Sequence, residues 1–580
     1  MTFATFDAGR GSPRPWSRVT VIAASAALLA ACALAPLEVD SSARAPVLAG
    51  FGANTLAISS PSAAARQWFD QGMAQAYAFN EVEAVRAFKA ALAQDPSCAM
   101  CAWGVAYQLG PNINAPARGD VSEALRYVTH ALRHLDGAPP RERALVEALA
   151  LRYGHASEAR NTAVLTAPIC GAKNGDDPVD PLDIAYAQRM RALVARFPGD
   201  PDILSLYAEA EMVITRGDAW WDLASGQPVG RIGEVAQLLE QGLKQHVNHV
   251  GLNHYFIHAT DALPVAARAE QAADRLASLA PRSPHLLHMP SHIFVQRGRY
   301  ADAIRVNQQA VAADGALAED LGRQGFSVSK DWRGHDGQFL WYAAIMAGQG
   351  AEALAAARAS AARAAKADNE FGEFVRSRPL LTLLRMERWD ELLREAPPEG
   401  DKGVAAVLDP YARGLAHARQ HHTAEAAAAL ARLEPAAAAL AQSHPSGSFV
   451  DKTFRGLALV ALETLRAEVA FGKGQFDAAL AHQSQAASAG KYIDETEPPM
   501  LAAGTRLALG DLQLRTGMWA DAERTFRSDL AEHPHSGWAL RGLAQSLQGQ
   551  ARFAQAAAAK DALQRAWRSA DPDLRKAALI

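Results

Sequence analysis

The stretch that decides the fold is WFDQGMAQAYAFNEVEAVRAFKAALAQDP, residues 68–96. Its spacing predicts two antiparallel helices joined by a short turn. Gly72 and Ala84 are small where two helix axes must approach closely, and Trp68 and Phe88 are large enough to fill the space between them. Pro96 has no N–H to donate and ends the second helix.

This register resembles the tetratricopeptide repeat, whose pattern is W-x2-L-G-x2-Y, then A-x3-F, then P. It returns near the C-terminus, where Gly510, Ala522 and Phe526 keep the spacing of Gly72, Ala84 and Phe88. A further helix pair runs from Trp538 through Ala556. Between the ends, Gly298-Arg-Tyr-Ala-Asp-Ala303 and Gly472-Lys-Gly-Gln-Phe-Asp-Ala478 read as turns entering second helices. No stretch alternates with the period of a strand. The Ala-rich runs at 351–366 and 424–442 suit tightly packed helices. The expected fold is therefore all-α, a tetratricopeptide-repeat superhelical solenoid.

The 580 residues exceed one compact core, and 49% hydrophobic with 21% charged residues is ordinary folded composition. The 58 basic and 62 acidic side chains leave a net charge of −4, which provides no electrostatic footprint for nucleic acid. The N-terminus reads as a targeting segment. Arg10, Arg14 and Arg18 precede an apolar run from Val19 to Ala31. Leu29-Ala30-Ala31-Cys32 resembles the lipobox of bacterial lipoproteins, which implies cleavage before Cys32 and acylation of that residue. The alternative is an uncleaved membrane anchor. The lipoprotein reading places the protein in the bacterial cell envelope, lipid-anchored and facing the periplasm, with the outer membrane as the expected one.

The expected organisation is a signal peptide at 1–31, a flexible tether at 32–61, an N-terminal solenoid at 62–395 and a C-terminal solenoid at 396–580. The tether reading rests on a stretch rich in Ala, Ser, Pro and Gly without helical period. Cys98 and Cys101 are open to three readings: a local disulfide, a redox pair or half a metal site. A disulfide is expected in an oxidising compartment. Cys170 has no obvious partner. Residues 167–181, 216–231, 314–335 and 395–403 interrupt the repeats, and the second of these carries Trp220 and Trp221.

The sharpest chemical feature is a set of histidines. His254/His258 and His288/His292 each stand at i, i+4, which places two imidazoles one turn apart on a helix face. The pairs are 34 residues apart, one repeat length. Counted from Pro281, which ends a repeat as Pro96 does, His254 and His288 occupy repeat position 5 and His258 and His292 position 9. His285 falls at position 2 and Asp261 at position 12. In the tetratricopeptide family, these positions of the first helix face the concave groove. Adjacent first helices pack about 8–10 Å apart, so the pairs are expected to converge. Pro290 makes a regular face for the second pair doubtful. His335 falls at position 2 of the next repeat, and Gln338 takes position 5 there.

One reading is a metal centre of His254, His258, His285, His288, His292 and His335. Asp261 or Glu209 would complete or orient it. Imidazole-rich ligation suits zinc or copper, with nickel behind them. The site would then serve a metal-dependent enzyme. The alternative is a non-enzymatic scaffold whose groove hydrogen-bonds a protein, peptide or small-molecule ligand. A third reading satisfies some of these side chains in helix–helix contacts.

The chain also resembles a family of bacterial and fungal tetratricopeptide proteins over most of 62–575. The matching strings are DPSCAMCAWGVAYQLGPNIN, LYAEAEM, NHYFIHATDA, HLLHMPSHIFVQRGRY, HDGQFL and DLAEHPHSGWALRGL. The resemblance implies a helical superhelix with His254, His258, His288 and His292 at its signature positions, and it implies no reaction. The chain departs from the family at three places. Asn80-Glu81 replaces an Asn-His, Gln338 replaces a second His, and Met500 follows Glu497-Pro-Pro499 where the family is aromatic.

Overall fold

The computed structural model describes residues 37–114, 121–155, 179–215, 220–223, 225–329, 332–501 and 504–577. The signal segment, Cys32 and Cys170 lie outside them. The described residues form an all-α solenoid of helix hairpins of tetratricopeptide type, without strands. Helices next to one another in sequence pack against one another, from Ala63–Tyr77 on Glu81–Gln94 to Gly537–Gly549 on Phe553–Ala566. No described helix is long and apolar enough to cross a membrane.

The hairpin read from 68–96 shows how the repeat is built. Ser62 caps the first helix by accepting from the Ala65 N–H. The Phe88 ring lies between Gly72 and Gly104, and a methyl group on either glycine would strike it. Phe526 lies in the same way between Gly510 and Gly542. One aromatic side chain thus links three successive helices because two of them lack a Cβ at the contact. Cys98 and Cys101 are joined by a disulfide at the start of the helix Ala99–Gln108.

The C-terminal repeats fold back on the middle of the chain. Trp538 and Trp567 donate their indole N–H groups to the carbonyls of Ile345 and Met346, at 2.9 and 3.3 Å. The Asp571 N–H reaches the Gly348 carbonyl at 2.9 Å. Arg541 pairs with Glu387, and the Gly298 turn abuts Pro534. One buried cluster runs from Leu48 to Ala570. The core does not break near 395: Leu380, Leu383 and Leu392 share a second cluster with Ala412 and Ala416.

Two expectations change. From Pro46 the presumed tether is a docked strap. Leu48, Phe51, Leu56 and Ile58 are buried, and Ser59 and Ser60 bond to Glu142 and Asp95. Its buried apolar side chains outweigh the flexible composition. The interruption expected at 314–335 is helical through Arg323, in the helix Tyr300–Arg323.

Candidate metal centre

Two consecutive first helices carry the central histidines. His249 caps the helix Val250–Ala259 by accepting from the Leu252 N–H at 3.0 Å, and its other nitrogen meets Asp202 at 3.0 Å. His249 is therefore buried structure. At the other end of this helix, Trp221 donates to the Ala259 carbonyl at 2.8 Å. The helix is held at both ends, with His254 and His258 one turn apart between them.

The next first helix has two parts, Pro284–His288 and Pro290–Gln296. Met289 joins them in right-handed helical conformation, at φ −48° and ψ −38°. Pro290 therefore stands in the first turn of a new helix, where its missing N–H does no harm. His288 and His292 stay on one face, with their Nε2 atoms 2.9 Å apart.

The imidazoles gather as two trios. His254 Nε2 lies 3.0 Å from His285 Nε2 and 3.1 Å from His258 Nε2. His288, His292 and His335 form the second trio, and within each trio one ligand nitrogen per ring lies within 4.8 Å of the others. The trios adjoin: the His258 and His292 ring centroids are 6.4 Å apart, and those of His285 and His288 are 6.5 Å apart. Register arithmetic thus placed His285 and His335 beside the right neighbours.

Aromatic rings wall both trios. Phe79 packs on His254, His285 and His258, with centroids at 4.6, 4.9 and 5.7 Å. Trp332 stacks on His285 at 4.4 Å. Phe339 contacts His288, His292 and His335.

Hydrogen bonds orient the second trio. Asn307 donates its amide N–H to the Ala303 carbonyl at 2.8 Å, so its Oδ1 is the acceptor facing His288 Nδ1 at 2.6 Å. His288 therefore carries its hydrogen on Nδ1. His292 Nδ1 donates to Asp261 Oδ2 at 2.7 Å and to Glu497. In the neutral rings, both Nε2 lone pairs then face each other.

Electrostatics sets His292 apart from the other rings. Burial drives His254 down to about 3 and His335 to about 4, and it holds His258 and His288 well below the usual imidazole range. Burial also lowers His292, but the Glu497 and Asp261 carboxylates outweigh it and raise this residue to about 10. Burial and the Glu497 charge push Asp261 up, while His292 draws Glu497 down against its own desolvation. Glu497 is 52% exposed and closes the site toward solvent.

Of the two carboxylates expected at the site, Asp261 is there and Glu209 is not. Glu209 lies in a buried tyrosine network, accepting from Tyr107, with burial raising it to about 7. Gln338, at the position where the resembling family has His, donates to the Pro498 carbonyl at 3.4 Å. The pattern reading missed Glu497, Asn307 and Phe79 as site residues. The Glu-Pro-Pro string at 497–499 is the one signal that pointed to the first. A cavity of about 600 Å³ between the strap and the helices Glu270–Leu279 and Tyr300–Arg323 includes none of the six histidines.

The donor set fits a late first-row transition ion. It offers buried imidazole nitrogens, and in the second trio hydrogen bonds fix which nitrogen of His288 and His292 faces inward. No protein-family profile matches the chain, and no curated protein does. Among solved structures, yeast Tom70 aligns at 12% identity and TM-score 0.25, over 89% of this chain and 94% of that one. A human IFIT1 dimer with m7Gppp-AAAA aligns at 11% identity and TM-score 0.26, over 82% and 90%. At those TM-scores neither likeness adds to the reading of the site.

Proposed function

We propose that this solenoid is a metal-binding protein whose groove holds a transition ion, zinc or copper, on His254, His258 and His285. The observation that carries this is His254 Nε2, fully buried and 3.0 and 3.1 Å from two other imidazole Nε2 atoms. An imidazole nitrogen carries either one hydrogen or one in-plane lone pair. Neither serves two such contacts well, whereas a cation at their centre serves all three. The two carboxylates, Asp261 and Glu497, contact His292, a member of the neighbouring trio.

The test is metal analysis of purified protein, as isolated and after reconstitution with Zn(II) or Cu(II). Stoichiometric metal that is reduced in His254→Ala supports the reading. A protein that stays metal-free after reconstitution overturns it. The groove would serve metal-assisted hydrolysis or redox chemistry, with a protein- or peptide-binding scaffold as the competing role. A scaffold would keep its partner after the metal is stripped.

We further propose export and lipid anchoring through Cys32. The signal-like segment supports this, and the Cys98–Cys101 disulfide suits an oxidising compartment. Cys32→Ala should release the protein from membranes. Unchanged membrane association would overturn the anchor.

A further inference from the structure

The second trio is not needed by the ion just proposed. We infer that His288, His292 and His335 bind a second transition ion, making the groove a two-ion centre; this rests on the metal reading of the first trio. The juxtaposition is two adjoining three-imidazole faces on successive first helices.

Distance excludes one ion shared by all six rings. With metal–nitrogen bonds of about 2.0–2.1 Å, two nitrogens on one ion lie at most about 4.2 Å apart. Each trio gathers its nitrogens within 4.8 Å, but the six do not form one such group. Small side-chain adjustments bring three nitrogens onto one ion, whereas six would require the helices to move.

The tautomers carry the argument further. Asn307 fixes the His288 hydrogen on Nδ1, and Asp261 with Glu497 does the same for His292. With His292 neutral, two lone pairs would face each other at 2.9 Å, an arrangement that either a proton on His292 or a metal ion resolves. A proton is the simplest competitor, with His292 donating to His288. A proton links two nitrogens, however, and leaves His335 without a part. His335 stands in the same trio, with its ring 4.7 Å from that of His288.

The two ions would differ. The first is held by three imidazoles. The second is bound through His292, whose far nitrogen is held by two carboxylates. A carboxylate behind a ligating imidazole raises its basicity, and loss of such a partner typically weakens metal affinity about 10–100-fold. Asp261 and Glu497 are positioning residues in this arrangement. The second trio should load first, and Asp261→Asn should weaken one of two binding steps.

The experiment is metal titration of the full chain with Zn(II) and with Cu(II), read as ions per folded chain. Wild type should bind two. The pair His254→Ala/His285→Ala should bind one, and His288→Ala/His335→Ala should bind one. Circular dichroism of each variant reports retained helix. Copper resonance on wild type needs no variant: two adjoining Cu(II) ions should give a coupled signal, and each double variant an isolated one. One ion per wild-type chain overturns the two-ion centre, and the double variant that loses this ion shows which trio held it: loss in His254→Ala/His285→Ala leaves the first reading standing. Two ions with uncoupled signals overturn the two-ion centre. No ion at all overturns the Proposed function itself.

Discussion

The first hairpin of the solenoid and the last of those with a phenylalanine between two glycines, Thr505–Arg515 with Trp519–Glu532, are built alike and differ at one turn. In the first, Gly72, Phe79, Phe88 and Gly104 follow one another, and in the last, Gly510, Gly517, Phe526 and Gly542 keep the same spacing. Both central phenylalanines sit between two glycines. The residue that turns the chain differs. Gly517 has φ 76° and open space where a Cβ would stand, whereas Phe79 adopts φ 55° with a full aromatic side chain. Left-handed backbone is easy for glycine and unfavourable for phenylalanine. Gly298, Gly348 and Gly474 fill the same kind of turn elsewhere. Glu387, His421 and Ala551 adopt it without glycine as well, so what sets Phe79 apart is its ring, which covers three imidazoles.

The shared part of the comparison makes the largest prediction. Phe88→Ala and Phe526→Ala each remove a buried ring from between two helices that cannot close the gap. Each should lose about 3–5 kcal/mol, read by urea or thermal unfolding. Similar losses would show that the two hairpins are energetic equivalents. A loss confined to one would break the equivalence.

A second contrast lies three residues beyond the second glycine. There the first hairpin leads to Tyr107, bonded to the buried Glu209, and the last leads to Gln545, which lines a cavity. Burial raises Glu209 from 4.5 to about 7 in the folded chain. The folded chain keeps this proton up to about pH 7, and the unfolded chain releases it near pH 4.5. Its contribution is complete below pH 4.5 and is lost as pH rises through 7. The loss should be about 3 kcal/mol. Glu209→Gln keeps the neutral partner for Tyr107 and should flatten that slope. An unchanged slope in the variant would assign it to other groups.

Local spacing made the repeat and much of the site legible. Gly72, Ala84 and Phe88 announced the hairpin because their sizes matter at fixed helical intervals. The 34-residue separation of the His pairs put them on successive first helices, and the same counting brought in His285 and His335. Glu497 escaped because it lies 205 residues from His292, and only closure of the superhelix brings them together. The strap at 46–60 escaped because composition hides where its apolar residues fall. Phe79 escaped because a turn aromatic has no pattern until its neighbours across the fold are known. Asn307 lies on a second helix, outside the register that marks groove-facing positions.

The smallest prediction isolates the turn itself. Removing the Phe79 ring mixes lost burial with relieved backbone strain, so wild type is the wrong reference. Phe79→Ala and Phe79→Gly remove the same ring contacts and differ mainly in whether the backbone tolerates φ 55°. The glycine variant should be the more stable by about 1 kcal/mol, the reverse of the order inside a helix. Gly517→Ala should lose about the same amount, since open space there leaves conformation as the main penalty. Matching differences in thermal unfolding would show that the first hairpin carries a strain the last one avoids. If alanine at 79 proves as stable as glycine, the turn is relaxed, and the Phe79 ring covers the imidazoles without any conformational penalty to set against it.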